Sequence, residues 1–224
     1  MTNFQPAMKD NSARVSVNPC HNTRVVKIGG SLLNLPDLST RLSSWLNSQG
    51  PMPTVWIVGG GKAVDAIREN VCESLADQES MHWAAIKIMS SNVKSIRQFQ
   101  FPDWILVNEL KVLKRTLRET SIKESHQGSN ILFDCSNWLR SNSCLPRTWD
   151  VTSDSIAVAL AGEIEACEVV LLKSVEVEQG KTIASLVDCG VVDAYFETAL
   201  ENSRKKANGQ RRLDVRFENA RAFQ

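Results

Sequence analysis

Short apolar runs alternate with longer amphipathic ones along this chain. Arg24–Ile28 is a β-branched run of strand length. Leu38, Leu42, Trp45 and Leu46 then fall at helical spacing, and Gly50-Pro51 ends that helix. Thr54–Val58 is a second strand, running straight into Gly59-Gly60-Gly61. Val64, Ile67, Val71 and Leu75 follow on one helix face. Ala85, Met89, Val93 and Ile96 predict another helix, and Leu106, Leu110, Leu113 and Leu117 a more charged one. Ile131-Leu132-Phe133 reads as a short strand after Gly128. Thr152 or Ser153 suits the N-cap of a helix carrying Ile156, Leu160 and Ile164. Asp154 then falls in its first turn, where a carboxylate is favoured. Val169–Leu172 is a strand with Lys173 at its end, a final helix runs from about Asp193 to Lys206, and Leu213–Phe217 is a last strand.

The strands are continuous apolar runs and alternate with helices. That pattern predicts the α/β class: a three-layer αβα sandwich whose central sheet is largely parallel and covered on both faces. Residues 1–23, rich in Asn, Ser and Pro, read as a poorly ordered tail. No repeat or linker follows, so 24–224 is read as one domain.

Composition narrows the function classes. The formal net charge is +1, so no global field draws the chain to nucleic acid or to an anionic membrane. Arg204-Lys205-Lys206 and Arg211-Arg212 read as a solvated helix end with its loop. The six cysteines are scattered with no Cys-x-x-Cys, and the three histidines are dispersed, so no metal site is expected. The cysteines are read as reduced thiols, buried as small apolar side chains in a cytoplasmic protein. The first residues lack the apolar core of a secretory signal, and no run approaches the ~20 apolar residues that span a bilayer.

Candidate chemistry begins with Lys27, which interrupts an apolar run two residues before Gly29-Gly30-Ser31. Lysine is among the residues least often buried without a partner. Two strands end in glycine clusters, and in parallel sheets ligands bind at the carboxyl ends of strands. Glycines there let backbone N–H groups approach an anion. Each cluster alone is equally well read as a tight strand-to-helix turn. The named phosphate motifs fail: Val64 stands where a dinucleotide fingerprint needs its third glycine, and Val175 stands where a P-loop ending at Gly180-Lys181-Thr182 needs its first. Lys27, Lys173 and Asp154, at strand and helix ends, make the stronger case. Phosphoryl transfer demands charge neutralisation and alignment, and little covalent chemistry from the protein. Two lysines can bridge the transferring group while one carboxylate orients them. Lys62 and Arg68 are candidate donors to a phosphate-bearing acceptor, against a reading as solvent-facing groups. Trp149 is weighed as an acceptor-pocket residue, with core the favoured reading. Trp56 and Trp83 are read as core, and Asp65 as an ordinary first-turn acid.

Val-Val-Lys-Ile-Gly-Gly-Ser (Val25–Ser31), Ile-Val-Gly-Gly-Gly (Ile57–Gly61) and Thr-Ser-Asp-Ser-Ile-Ala (Thr152–Ala157), in that order, resemble the amino acid kinase family, which includes acetylglutamate, aspartate, uridylate and isopentenyl phosphate kinases. The resemblance covers roughly residues 24–196. It implies an αβα sandwich binding ATP, with Mg²⁺, and a small-molecule acceptor at the carboxyl ends of the strands, in a homodimer or higher homo-oligomer. It implies Lys27, Asp154 and Lys173 as catalytic residues. It places Gly29, Gly30, Ser31 and Lys173 on the nucleotide side, Gly59, Gly60 and Gly61 against the acceptor or the γ-phosphate, and Thr152 and Ser153 on the acceptor side. Trp149–Ala157 and Gly190–Phe196 are further similar to the branch containing the methanofuran-pathway kinase, whose bacterial relatives occur with tetrahydromethanopterin-linked one-carbon metabolism.

The chain also departs from that family. Ser174–Gly180 carries two glutamates where many members have a Thr-Asp-x-x-Gly-type segment shaping the adenine and ribose pocket. The C-terminal Gly-Gly-Met…Lys segment is absent, and Lys181 is a candidate substitute for its lysine. Three readings stay open: an ATP-dependent kinase with a phosphate or carboxylate acceptor, a non-catalytic nucleotide- or phosphate-binding module, and a scaffold subunit.

Overall fold

The computed structural model describes residues 22–69, 75–122, 128–141, 145–178, 180–206 and 213–223. Strands β1 (Arg24–Ile28), β2 (Thr54–Val58), β3 (Ile105–Val107), β4 (Asn130–Phe133), β5 (Glu168–Lys173) and β6 (Asp214–Asn219) form one sheet, in the order β3-β4-β2-β1-β5-β6. Every pairing is parallel. Every residue of β1 and β2 is buried, which is why β2 reads as an unbroken apolar run and β1 as one broken by Lys27. Among the described residues the helices are α1 (Leu38–Ser48), α2 (Lys62–Glu69), α3 (Leu75–Phe99), α4 (Leu110–Ile122), α5 (Ser136–Ser141), α6 (Ser153–Glu163), α7 (Ile183–Asp188) and α8 (Phe196–Lys206). A short helical turn spans Gly30–Asn34.

Side chains alternate across each strand, so the sheet divides two cores. Val25, Val55 and Ile57 point into the core that contains Ile156, Leu160, Phe196 and Leu200 of α6 and α8. Val26, Ile28, Trp56 and Val58 point into the other, with Leu38, Leu42 and Trp45 of α1. Lys27 shares the parity of Val25 and so faces α6. Helix α6 is apolar nearly all round, and its buried positions run from Ser153 to Ala161 with one break.

Several sequence readings need correction. Leu106 lies in edge strand β3, and the helix begins at Leu110. The run Ile105–Val107 follows Pro102-Asp103 and has strand composition; its spacing to Leu110 and Leu113 is coincidental. Of the face Val64–Leu75, Val64 and Ile67 lie in α2 (Lys62–Glu69) and Leu75 is the first residue of α3, while Val71 lies outside the described residues. Helix α8 starts at Phe196, three residues after Asp193. Cys135 is buried as expected, and burial pushes its thiol up to about 12; Cys167 is half-buried and Cys189 exposed. Cys20, Cys72, Cys144, Arg211, Arg212 and nearly all of the 1–23 tail lie outside the described residues.

All strands being parallel, Gly29, Gly59, Asp134 and Lys173 collect at one edge of the sheet. Ile28 pairs with Val58 on one side and Leu172 on the other, so the first glycine pair sits between Gly59 and Lys173. Strand order reverses between β1 and β5, the position where open parallel sheets form a crevice.

Candidate active site

Three of the sequence candidates meet at that crevice. The Lys27 ammonium lies 2.8 Å from Asp154 Oδ1, and Lys173 Nζ donates to Asp154 Oδ2 at 2.7 Å. Lys173 Nζ also donates to the Val191 carbonyl at 2.6 Å. The side chains are 7%, 7% and 11% exposed for Lys27, Asp154 and Lys173, so the cluster is nearly dry. Two ammonium groups contact a single carboxylate, and Asp193, acting on Lys173 without contact, offsets only part of the second charge. An unpaired charge is costly to bury, and an arriving anion would relieve that cost. Burial pushes the Asp154 carboxyl up, but the Lys27 and Lys173 charges outweigh it and hold the group below the usual range. Burial lowers Lys173, Lys27 lowers it further, and Asp154 and Asp193 offset only part of this.

Asp154 is placed by its helix, and the helix start is held by a residue the sequence reading did not single out. The Thr152 side chain accepts from Asp154 N at 3.4 Å, the expected cap. Asp193 Oδ2 accepts from Thr152 N at 3.0 Å, Thr152 Oγ1 at 2.7 Å and Ser155 N at 3.1 Å, while Ser155 Oγ donates to Asp193 Oδ1. One carboxylate thus satisfies two helix-terminal N–H groups. Val191 and Asp193 belong to one short segment, which therefore braces both Lys173 and Asp154. The signal for Asp193 was its polar placement in Gly190–Phe196, but a capping interaction across 41 positions has no local spacing rule.

The two glycine clusters pack against each other. Gly29 N donates to Leu172 O and Gly59 N to Ile28 O, both at 3.0 Å. A Cβ on Gly30 would lie 2.2 Å from Gly61 N and 2.6 Å from its Cα, so only hydrogen fits. Gly61 has φ +65°, and its carbonyl accepts from Val64 N and Asp65 N, starting α2. Ser31 Oγ donates to Ser174 Oγ at 2.9 Å, linking the two loops that flank β1 and β5.

Beyond Gly60 a cavity of about 50 Å³ opens among α2, α3 and α6, lined by residues that include Val64, Arg68, His82, Trp149, Thr152 and Ser153. The reading of Trp149 as core is corrected: it is half-buried, lines this cavity, and carries the Arg68 guanidinium 5.1 Å from its ring centroid. Arg68 is exposed yet occupied by that contact. Trp83 is also only half-buried, under Arg140 and Arg147, whereas Trp56 is core. Burial lowers His82, with a backbone hydrogen bond to Thr148 only partly opposing it, so the imidazole lining the cavity is neutral at pH 7.

The segment after β5 does not supply an acid. Glu178 pairs with Lys181 at 3.3 Å, Glu176 accepts from Asn219 at 3.4 Å, and Val175 is 55% exposed. Lys181 therefore sits with Glu178; the ammonium on Asp154 is that of Lys173.

Comparisons with known proteins give a fold and no closer kin. No family model matches the chain, and no curated protein matches its sequence. Among solved structures, the chain resembles the uridylate kinase of Archaeoglobus fulgidus at 14% identity, TM-score 0.53, over 88% of this chain and 92% of that one. The UMP kinase of Ureaplasma parvum matches at 14% identity, TM-score 0.52, over 84% and 87%. That of Bacillus anthracis matches at 10% identity, TM-score 0.52, over 89% and 96%. The fold is of the amino acid kinase type. At such identities the likeness assigns no substrate.

Proposed function

We propose that this protein is an ATP-dependent phosphotransferase acting on a small molecule. One observation carries the reading: a buried carboxylate joins two ammonium groups at the glycine-lined carboxyl edge of a parallel sheet. Lys27 and Lys173 neutralise charge on the transferring group, and Asp154 orients both. Gly29, Gly30 and Ser31 approach the nucleotide phosphates. Gly60, Thr152 and Ser153 line the acceptor cavity, and Gly59 and Gly61 flank Gly60 in the chain. As the acceptor oxygen bonds to the γ-phosphorus, the bond to the departing ADP oxygen breaks, and charge on the phosphoryl oxygens meets the lysines.

The donor set fits a polyphosphate: ammonium and backbone N–H groups without an opposing free carboxylate. It offers no metal cage, since among the described residues no group of three or more His, Cys, Asp or Glu is placed to hold an ion, and both Asp154 oxygens are taken. Mg²⁺ would arrive on the nucleotide and be held by its phosphates. The acceptor ends in a phosphate or carboxylate, for which Arg68 on the cavity wall is the candidate guanidinium. The motif likeness at Trp149–Ala157 and Gly190–Phe196 supports a place in methanofuran-linked one-carbon metabolism. Phe99, Ile105 and Leu106, exposed near edge strand β3, support association with a second copy. Among the described residues no helix is long and apolar enough to cross a membrane.

Calorimetry with MgATP on wild type and Lys27→Ala tests the site, followed by ADP release with phosphate and carboxylate acceptors. Binding by wild type, weakened at least ~10-fold by Lys27→Ala, is expected. A second reading, nucleotide or phosphate binding without turnover, is favoured by the Ser174–Glu178 segment. It predicts the same heat with no ADP release from any acceptor.

The direction of the Lys173 shift sets a pH signature. Its folded pKa lies below the ordinary 10.5, so the unfolded chain holds that proton more tightly. Raising pH between the two values removes the ammonium while Lys173 ceases to oppose folding. Turnover should therefore fall with a midpoint below 10.5 while stability does not fall on account of Lys173. The pH–rate profile and urea midpoints over the same range check both, and parallel loss of rate and stability would contradict it.

A further inference from the structure

Asn92, in the middle of α3, is not explained by packing. Its side-chain Nδ2 donates to the carbonyl of Gly59 at 2.8 Å and to that of Gly60 at 3.1 Å. In a trans peptide the C=O of one residue and the N–H of the next point opposite ways. Holding both carbonyls toward α3 therefore turns the N–H groups of Gly60 and Gly61 away from it, side by side. Neither N–H has a hydrogen-bond partner among the described residues. Gly61 N lies against Gly30, in the seam between the two glycine loops. A glycine run has no side chain to hold its peptide planes, so an external clamp is needed to fix them.

The helix carrying Asn92 is itself anchored at this edge. Ser90 Oγ donates to the buried Asp134 carboxylate at 2.5 Å, and Asp134 follows β4 directly, its own N–H bonded to Val107 O. Met89 and Val93, one helical turn apart on either side of Asn92, are both buried, in different core clusters. Asn92 is thus delivered from a fixed helix turn to the end of β2.

We propose that Asn92 is a positioning residue for phosphoryl transfer, clamping the Gly59 and Gly60 carbonyls so that the Gly60 and Gly61 N–H groups are presented as a paired donor to the transferring phosphoryl oxygens. This rests on the phosphotransfer reading above. The pair serves charge that develops on those oxygens, so it favours the transition state over the bound nucleotide.

The test is calorimetry with MgADP alone and with MgADP plus aluminium fluoride, a mimic of the transferring group, on wild type, Asn92→Leu and Asn92→Asp. Wild type should bind MgADP and gain affinity with aluminium fluoride. Both variants should keep MgADP affinity within ~2-fold and lose ~100-fold of the mimic's, the size expected for loss of such donors. The proposal is overturned if the variants bind the mimic as wild type does, or lose MgADP and mimic equally. It is also overturned if wild type binds MgADP with no gain from aluminium fluoride, which leaves nucleotide binding intact. If wild type binds neither, the phosphotransfer reading fails and the clamp with it. Asn92→Asp keeps the shape and lacks the donor, so it decides the matter should Asn92→Leu not fold; unfolding of both assigns Asn92 a structural role instead.

Discussion

Asp154→Asn is expected to abolish measurable turnover and to destabilise the protein more than loss of either lysine. The substitution is nearly isosteric, so the effect is one of charge. The Lys27 and Lys173 ammonium groups would remain nearly buried, each within 3 Å of a neutral amide, with no carboxylate in contact with either. Removing one partner of a buried ion pair costs about 3–5 kcal/mol. For a chain of this size that corresponds to a fall in Tm of roughly 6–20 °C. Lys27→Met and Lys173→Met behave differently. Each removes one ammonium from an over-positive cluster and leaves a balanced pair, so each should cost less stability than Asp154→Asn. Turnover should nonetheless fall at least ~100-fold in each, because each removes charge opposed to the transferring group. Urea unfolding with steady-state ADP release on the three variants separates the effects. An Asp154→Asn protein as stable as wild type would show that the buried charges are not coupled as described. Lysine variants with wild-type turnover would reduce the cluster to a structural ion pair. Asp154 also sets an acid limit. Its folded pKa lies below the unfolded value near 3.8, so its contribution is present above that pH and is lost as pH falls through the folded pKa.

What could be read in the sequence was what strand parity and chain order fix. β1, β2 and β5 are mainly apolar runs, broken in β1 by Lys27, that end at lysine or just before glycine, and a parallel sheet brings such ends to one edge whatever the loops do. Lys27, Asp154 and Lys173 follow from that, because each occupies the last or first turn of its element. Asn92 and Asp193 do not follow. Asn92 lies mid-helix, where asparagine carries no local signal, and its partners are carbonyls some 33 positions earlier. Asp193 looked like a helix start and instead serves a different helix. Both act on backbone groups, which identical stretches of sequence would present in any orientation. Trp149 was misjudged for a related reason: aromatic residues beside a helix cap are usually buried, and only the tertiary approach of Arg68 and the cavity shows this one to be a wall. Strand β3 was hidden because three apolar residues fit a helical repeat as well as a strand.

Gly30→Ala should separate the two glycine loops and reduce turnover at least ~100-fold, a loss typical of about 1 Å of misplacement at a reacting centre. The added methyl would sit 2.2 Å from Gly61 N and 2.6 Å from Gly61 Cα. Both are backbone atoms, so no rotamer change relieves the contact. Gly61 cannot retreat freely, since its carbonyl starts α2 through Val64 and Asp65 and it holds φ +65°. Gly59 cannot follow easily either, being bonded to Ile28 O and clamped by Asn92. Overpacking of this kind costs about 1–3 kcal/mol of stability, small beside the functional loss. Gly60→Ala is the informative neighbour: its methyl would meet the Val64 side chain at 2.2 Å, so the cost falls on the cavity wall and should appear in acceptor KM before kcat. Gly50→Ala, with nothing within 4 Å of the new methyl, is the control that should leave both unchanged. Steady-state kinetics and thermal unfolding of the three proteins decide the point. If Gly30→Ala turned over like Gly50→Ala, contact between the glycine loops would be incidental to function.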